Sequence, residues 1–144
     1  MKNVFVALFI GLILLGCNKD DSPNDNNPNL LNPLVNLNLN LNLPQYNALN
    51  FPGNSFIITE QGIKGIVIYN LNNELYTAFE LSDPNHIPSG CSRMTINGIV
   101  ATCPCTDDTN EYDIVTGQHK TNQSLYPMQQ YSAVRTGENL LISN

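Results

Sequence analysis

The residues of this 144-residue chain most able to do chemistry are four cysteines and two histidines. Three of the cysteines, Cys91, Cys103 and Cys105, crowd together between His86 and the acidic pair Asp107 and Asp108. Thiolate sulfur and imidazole nitrogen are the donors that zinc and iron–sulfur clusters take. Cys91, Cys103, Cys105 and His86 could therefore build a Cys3His cage for zinc or an unusual cluster, provided all three thiols stay reduced. The competing arrangement is one disulfide and a spare thiol, because three is an odd number. Cys103 and Cys105 are too close for an easy mutual bridge, so Cys91 is the natural partner of one of them. Bridging Cys91 to Cys105 would close a loop of about 15 residues and contribute about 3 kcal/mol. In an oxidising compartment this second arrangement is the expected one, with His86 solvated and Cys103 buried or reactive.

Other side chains offer weaker chemistry. Asp107, Asp108, Glu111 and Asp113 lack the spacing of an EF-hand and read as a solvated turn entering a strand. His119 stands alone in a polar stretch and is expected to be exposed. No Ser-His-Asp order, glycine-rich phosphate loop or paired-carboxylate pattern is present, so no catalytic residue is assigned.

The fourth cysteine explains the compartment. Lys2 is followed by an apolar run from Val4 to Leu15, then by Leu14-Leu15-Gly16-Cys17. A membrane-spanning helix needs about 20 apolar residues, so this run fits the core of a signal peptide instead. The Leu-Leu-Gly-Cys end resembles the lipobox of bacterial lipoproteins. On that resemblance residues 1–16 are removed, and Cys17 becomes the acylated N-terminus, carrying palmitate-type chains into the membrane. The chain then belongs to the cell envelope, at the outer membrane of a Gram-negative cell. Lys19-Asp20-Asp21 resembles the surface-export signal of Bacteroidetes lipoproteins, which would carry it to the cell surface. The formal net charge of −6 leaves no basic patch to neutralise phosphates, so nucleic acid is not an expected partner. The membrane is the expected one, with a redox or envelope protein beside it.

The elements that must position the cysteines follow from periodicity. Residues 17–33, rich in Asn, Pro and Asp, read as a flexible stalk behind Cys17. In the run from Leu34 to Leu43, asparagine and leucine alternate strictly from Asn36 onward, which puts those leucines on one face of a strand that Pro44 ends. Further strands are expected at Gly65–Tyr69, Leu75–Phe79, Met94–Ile96, Ile99–Thr102, Tyr112–Val115, Tyr131–Val134 and Leu140–Ile142. Asn97-Gly98 between two of them is a hairpin signal. No stretch has helical period. Short strands at this spacing predict a single all-β domain, a sandwich or barrel, over residues 34–144.

The order of motifs resembles the Rieske iron–sulfur domain superfamily, and Rieske-like lipoproteins of Bacteroidetes in particular. Tyr76-Thr77-Ala78-Phe79 leads into a loop containing Pro and His. Cys103-Pro104-Cys105 follows a hairpin, then Glu111-Tyr112-Asp113-Ile114-Val115-Thr116-Gly117, and Leu125-Tyr126-Pro127 with Tyr131 precedes the last strand. The resemblance implies a three-sheet antiparallel fold with a small cluster-binding subdomain inserted between Phe79 and Tyr112. It also implies a ligand set of Cys-x-His in the first loop and Cys-x-x-His in the second. Cys103 matches the second-loop cysteine, and Cys105 matches the position of a disulfide between the loops, with Cys91 its partner. Thr106 stands where the second histidine belongs, Asp83 where the first cysteine belongs, and Asn85 in place of the first histidine, with His86 one residue on. The expectation is a degenerate domain without a complete cluster, serving binding or structure. The alternative is an atypical [2Fe–2S] electron-transfer protein, using Cys103 and His86 with replacement ligands, as a component of an oxidoreductase system.

Overall fold

The computed structural model describes residues 27–144; the signal segment, Cys17 and Lys19-Asp20-Asp21 lie outside the described residues. Among the described residues, nine strands form two antiparallel sheets. They are β1 Asn36–Asn40, β2 Ser55–Ile58, β3 Ile66–Asn70, β4 Tyr76–Glu80, β5 Thr95–Asn97, β6 Val100–Thr102, β7 Glu111–Asp113, β8 Gln130–Thr136 and β9 Asn139–Ser143. The large sheet has the order β1-β9-β8-β4-β3-β2, and the small sheet β5-β6-β7 is inserted between β4 and β8. This is the all-β arrangement with an inserted subdomain that the resemblance implies.

Two of the three expected sheets are in fact one. The long strand β8 pairs with β4 through Tyr131 and Gln130, then with β9 from Ser132 to Thr136. One strand that changes partner along its length joins what would otherwise be separate sheets. The inserted subdomain is also larger than expected, because β7, which carries Tyr112, pairs with β6 inside the small sheet.

The Leu-Asn alternation forms edge strand β1, with Leu39 buried, Leu37 partly buried and Asn36, Asn38 and Asn40 exposed. The strand ends at Asn40, before the expected Leu43, in a turn closed by the Leu43 N–H on the Asn40 carbonyl at 3.0 Å. Pro44 instead starts a 3₁₀ helix, Pro44–Asn50, that helical periodicity could not announce. Proline at its start lacks the N–H that would be unpaired there, and the helix buries Leu49 against the sheet. Strand β3 is buried on both faces. Ile66 and Ile68 join Leu39, Tyr131 and Ile142 in one core, while Val67 faces a second core with Phe79, Met94, Tyr112 and Met128. Strand alternation thus makes the central strands a wall between two apolar clusters.

The stalk assignment needs correction for its last residues. The side-chain amides of Asn27 and Asn29 donate to the carbonyl of Pro84 at 2.9 and 3.0 Å. Asn32 Oδ1 accepts from Gln129 and Asn144. These asparagines find backbone and side-chain partners on the domain, so the segment from Asn27 to Pro33 is docked rather than free.

At the point where the subdomain leaves the large sheet, Glu80 is fully buried. Its Oε2 accepts from the Ile63 N–H and the Tyr131 hydroxyl at 2.7 and 2.9 Å. Its Oε1 accepts from the N–H groups of Lys64 and Ser82 at 2.7 and 3.0 Å. A buried carboxylate is tolerated only when matched by donors in this way. Burial together with the Glu80 charge pushes the Tyr131 hydroxyl's pKa up.

Candidate functional site

Three loops converge over the second core. The first follows β4 and runs from Leu81 to Met94; the second joins β6 to β7; the third joins β7 to β8. Cys91 in the first and Cys105 in the second form a disulfide with their Cα atoms 5.1 Å apart. The bridge is the one the resemblance implied. It takes two of the three thiols out of the expected Cys3His cage, leaving Cys103 as the free, buried cysteine.

Asp83 is the centre of the loop contacts. It is fully buried, and its backbone N–H donates to the carbonyl of Ser92 at 3.0 Å. Its Oδ1 accepts the Tyr112 hydroxyl at 2.6 Å and the Asn85 N–H at 2.8 Å. Its Oδ2 accepts the side-chain amide of Asn110 at 2.9 Å. The carboxylate at the position of the missing first-loop cysteine therefore ties the first loop to β7 and the second loop.

Asn85, at the position of the missing histidine, extends the network. Its Nδ2 donates to the Tyr112 hydroxyl at 2.9 Å and to the carbonyl of Tyr126 at 2.8 Å, while its Oδ1 accepts the Tyr126 N–H at 3.0 Å. One amide side chain thus clips the third loop to the first. In the sequence Tyr112 and Tyr126 stand out only as motif residues, not as site residues, and Asn110 does not stand out at all. A tyrosine in an alternating strand reads as core, and only the tertiary fold shows that its hydroxyl points at Asp83.

Cys103 packs beside this network, its Sγ donating to Asp108 Oδ2 at 3.6 Å. Burial pushes its thiol up to about 12, with the neighbouring carboxylates Asp83 and Asp108 adding to the shift, so at neutral pH it is a thiol. Burial, with the hydrogen bond to Asp83, raises the Tyr112 pKa as well. Thr106 is exposed.

His86 lies elsewhere in the site. Its ring is in reach of the disulfide sulfurs and of Asp107 and Asp108, whereas the donors within reach of Cys103 are Asp83 and Asp108. The pairing of His86 with Cys103 as joint metal ligands is therefore not assembled: the first-loop turn at Asp83 aims His86 at Cys105 instead. Nor is His86 simply solvated. Its Nδ1 lies 2.6 Å from the carbonyl oxygen of Ile87, and its Nε2 3.5 Å from Asp107 Oδ2. The Ile87 carbonyl, helped by Asp107 and Asp108, raises its pKa.

His119 is also corrected. It is buried, not exposed, with its ring edge-on to Tyr112 at 5.1 Å between centroids. Its Nδ1 accepts the N–H groups of Thr121 and Asn122 at 3.3 and 3.1 Å. The remaining acids behave as a turn: Asp113 Oδ1 accepts the Val115 and Thr116 N–H groups, and Glu111 pairs with Lys120 at 2.9 Å.

A Rieske [2Fe–2S] centre needs two thiolates and two imidazoles. The donor group around Cys103 offers one protonated thiol and two carboxylates, one of them saturated by Tyr112, Asn110 and Asn85. Hard carboxylate oxygen is a poor substitute for sulfur or imidazole on iron–sulfide. These residues do not fit a Rieske-type cluster.

No family model and no curated protein matches the chain. Among solved structures it is similar to the ferredoxin–oxygenase complex of carbazole 1,9a-dioxygenase, at 18% identity and TM-score 0.45, over 64% of this chain and 82% of that one. It is similar also to a putative NADH-dependent nitrite reductase small subunit from Mycobacterium tuberculosis, at 14% identity and TM-score 0.46, over 78% of this chain and 97% of that one. A ferredoxin of Sphingomonas yanoikuyae B1 shares 16% identity, with TM-score 0.44, over 65% and 88%. The likeness is one of fold. The chain's own large sheet, inserted small sheet and disulfide-paired loops define an all-β domain.

Proposed function

We propose that the chain is a lipid-anchored cell-envelope protein whose Rieske-like domain works without a [2Fe–2S] cluster, as a non-catalytic binding or structural module. The observation that carries this reading is the Asp83 network. In the ligand pattern, the first-loop cysteine and histidine would hold iron against the second loop. Here Asp83 and Asn85 occupy those positions and hold the loops with hydrogen bonds to Tyr112, Asn110 and Tyr126. The disulfide adds a covalent tie. Loops held this way keep their shape with no inorganic core, which suits a rigid surface for a partner.

The envelope placement rests on the sequence before the domain. Val4–Leu15 and Leu14-Leu15-Gly16-Cys17 supply the signal and the acyl acceptor. Among the described residues no helix is long and apolar enough to cross a membrane; on this reading the acyl chains on Cys17 supply the attachment.

Iron and acid-labile sulfide analysis of the purified protein, with its visible spectrum, tests the reading. The expected result is a colourless protein with iron far below one per chain. A brown protein with about two irons per chain would overturn it and establish atypical electron transfer through Cys103.

A further inference from the structure

His86 and the disulfide beside it make a second donor group, which shares Asp108 with the group around Cys103. The hydrogen bond from Nδ1 to the Ile87 carbonyl, at 2.6 Å, fixes the proton on Nδ1. In the neutral ring Nε2 then carries the lone pair, and it faces Asp107 Oδ2 at 3.5 Å. Two electron-pair donors pointed at each other call for a cation between them, a proton or a metal ion. The Nδ1–carbonyl bond is also the support that metal-binding histidines ordinarily have.

The sulfurs complete the set. A ring nitrogen of His86, Cys91 Sγ and Cys105 Sγ lie within 4.8 Å of one another. So do donor atoms of His86, Cys105, Asp107 and Asp108. While the disulfide is intact its sulfurs are poor ligands, since metal ions take thiolates. Cys91 is exposed, so an attacking thiolate can reach its sulfur.

We propose that reduction of the Cys91–Cys105 disulfide converts this cluster into a zinc site, with the two thiolates, His86 Nε2 and the Asp107 carboxylate as ligands. The reductant is a dithiol. It gives two electrons, becomes a disulfide itself, and leaves Cys91 and Cys105 as thiols. Zinc then displaces one proton from each sulfur, and two thiolates, an imidazole and a carboxylate surround it. Four donors of these types are what tetrahedral zinc accepts, at about 2.0–2.3 Å. His86 and Cys105 lie within 4.8 Å of Cys91 in one group and of Asp107 in the other, so the loop movement required is the one that brings Cys91 and Asp107 together, and breaking the S–S bond lets the two sulfurs part. Sulfur and imidazole select zinc over calcium or magnesium. Cys103 takes no part, because its thiol lies with Asp83 and Asp108. The site does not depend on the cluster-free reading above.

The test uses the purified mature chain, oxidised or reduced with a phosphine under nitrogen, and zinc or cobalt ions as the probe. Reduced protein is expected to retain about one zinc per chain after desalting, and oxidised protein none. Cobalt should give thiolate charge-transfer absorption and the intense visible bands of a tetrahedral site. His86→Ala and Asp107→Asn, both changes in exposed loops, should each weaken binding at least about tenfold. Cys103→Ser should leave it unchanged. The proposal is overturned if the reduced chain holds no zinc, whether folded or unfolded by circular dichroism. It is overturned equally if zinc affinity is undiminished in His86→Ala or lost in Cys103→Ser.

Discussion

The Asp83 carboxylate is buried and has to be matched donor for donor, and its strongest partner is the Tyr112 hydroxyl at 2.6 Å. Tyr112→Phe removes that donor and leaves Asn85 Nδ2 without one of its acceptors. The expected cost is about 1–3 kcal/mol, read from urea unfolding with the slope unchanged. A variant as stable as the parent would show that the network does not hold the loops. Cys103 gives a pH signature. Its thiol is pushed up to about 12 in the fold and ionises near its ordinary value of about 9 once unfolded. Between those values the unfolded chain binds fewer protons, so stability falls as pH rises and is fully present below about pH 9. Tyr112 and Tyr131, raised in the same direction, steepen the loss in alkali. Melting temperature against pH should therefore decline more gently in Cys103→Ala than in the parent. The same burial should keep Cys103 unalkylated in the native protein at pH 8. How much of this was legible in the sequence depended on residue type. Cysteine counting and the motif order led to Cys91 and Cys105, and the broken ligand pattern led to Asp83. His119 was misjudged because its neighbours in sequence are polar while its neighbour in space is the Tyr112 ring.

At the scale of elements, the turn into the third loop is tightly constrained. Gly117 has φ +75°, its N–H donates to Asp113 O at 2.7 Å, and a Cβ there would sit 2.5 Å from Phe79 Cε1. The side chain in the way is a buried ring in the second core, which cannot swing aside. Gly117→Ala is expected to cost about 2 kcal/mol or more through strain and overpacking together, measured as a lower urea midpoint. An alanine variant with an unchanged midpoint would mean that Phe79 is loosely held. The strands themselves were largely readable, because alternation and β-branched runs mark half-buried strands whatever the topology. β2 was missed: Ser55–Ile58 is a short edge strand, partly exposed, that owes its conformation to pairing with β3. The 3₁₀ helix was missed because seven residues carry too little periodicity to stand out. The hairpin signal at Asn97-Gly98 was one residue early, since Asn97 pairs with Val100 and the two turn residues are Gly98 and Ile99. Pairing and register belong to long-range contacts that no local pattern contains.

For the whole molecule, the question is what the domain is fastened to. Asn27, Asn29 and Asn32 bind the described N-terminal segment to the domain through Pro84, Gln129 and Asn144. If Cys17 is acylated, about ten residues separate the membrane from the first docked asparagine. A chain of that length spans at most about 35 Å when extended, so the domain would stay close to the bilayer surface. Pro84 belongs to the same loop as Asp83 and His86, which places the docked segment beside the first loop. Anchor and loop site are then mechanically close. The proposed membrane attachment through lipid alone has a direct consequence. Cys17→Ser removes the acyl acceptor while leaving the whole described domain intact, so folding should be unaffected. The variant should move from the membrane fraction to the soluble fraction, lose incorporation of labelled palmitate, and keep the parent's melting temperature. If it stays with the membrane at high salt, something other than the acyl chains holds it there, and the anchor assigned to Cys17 is wrong.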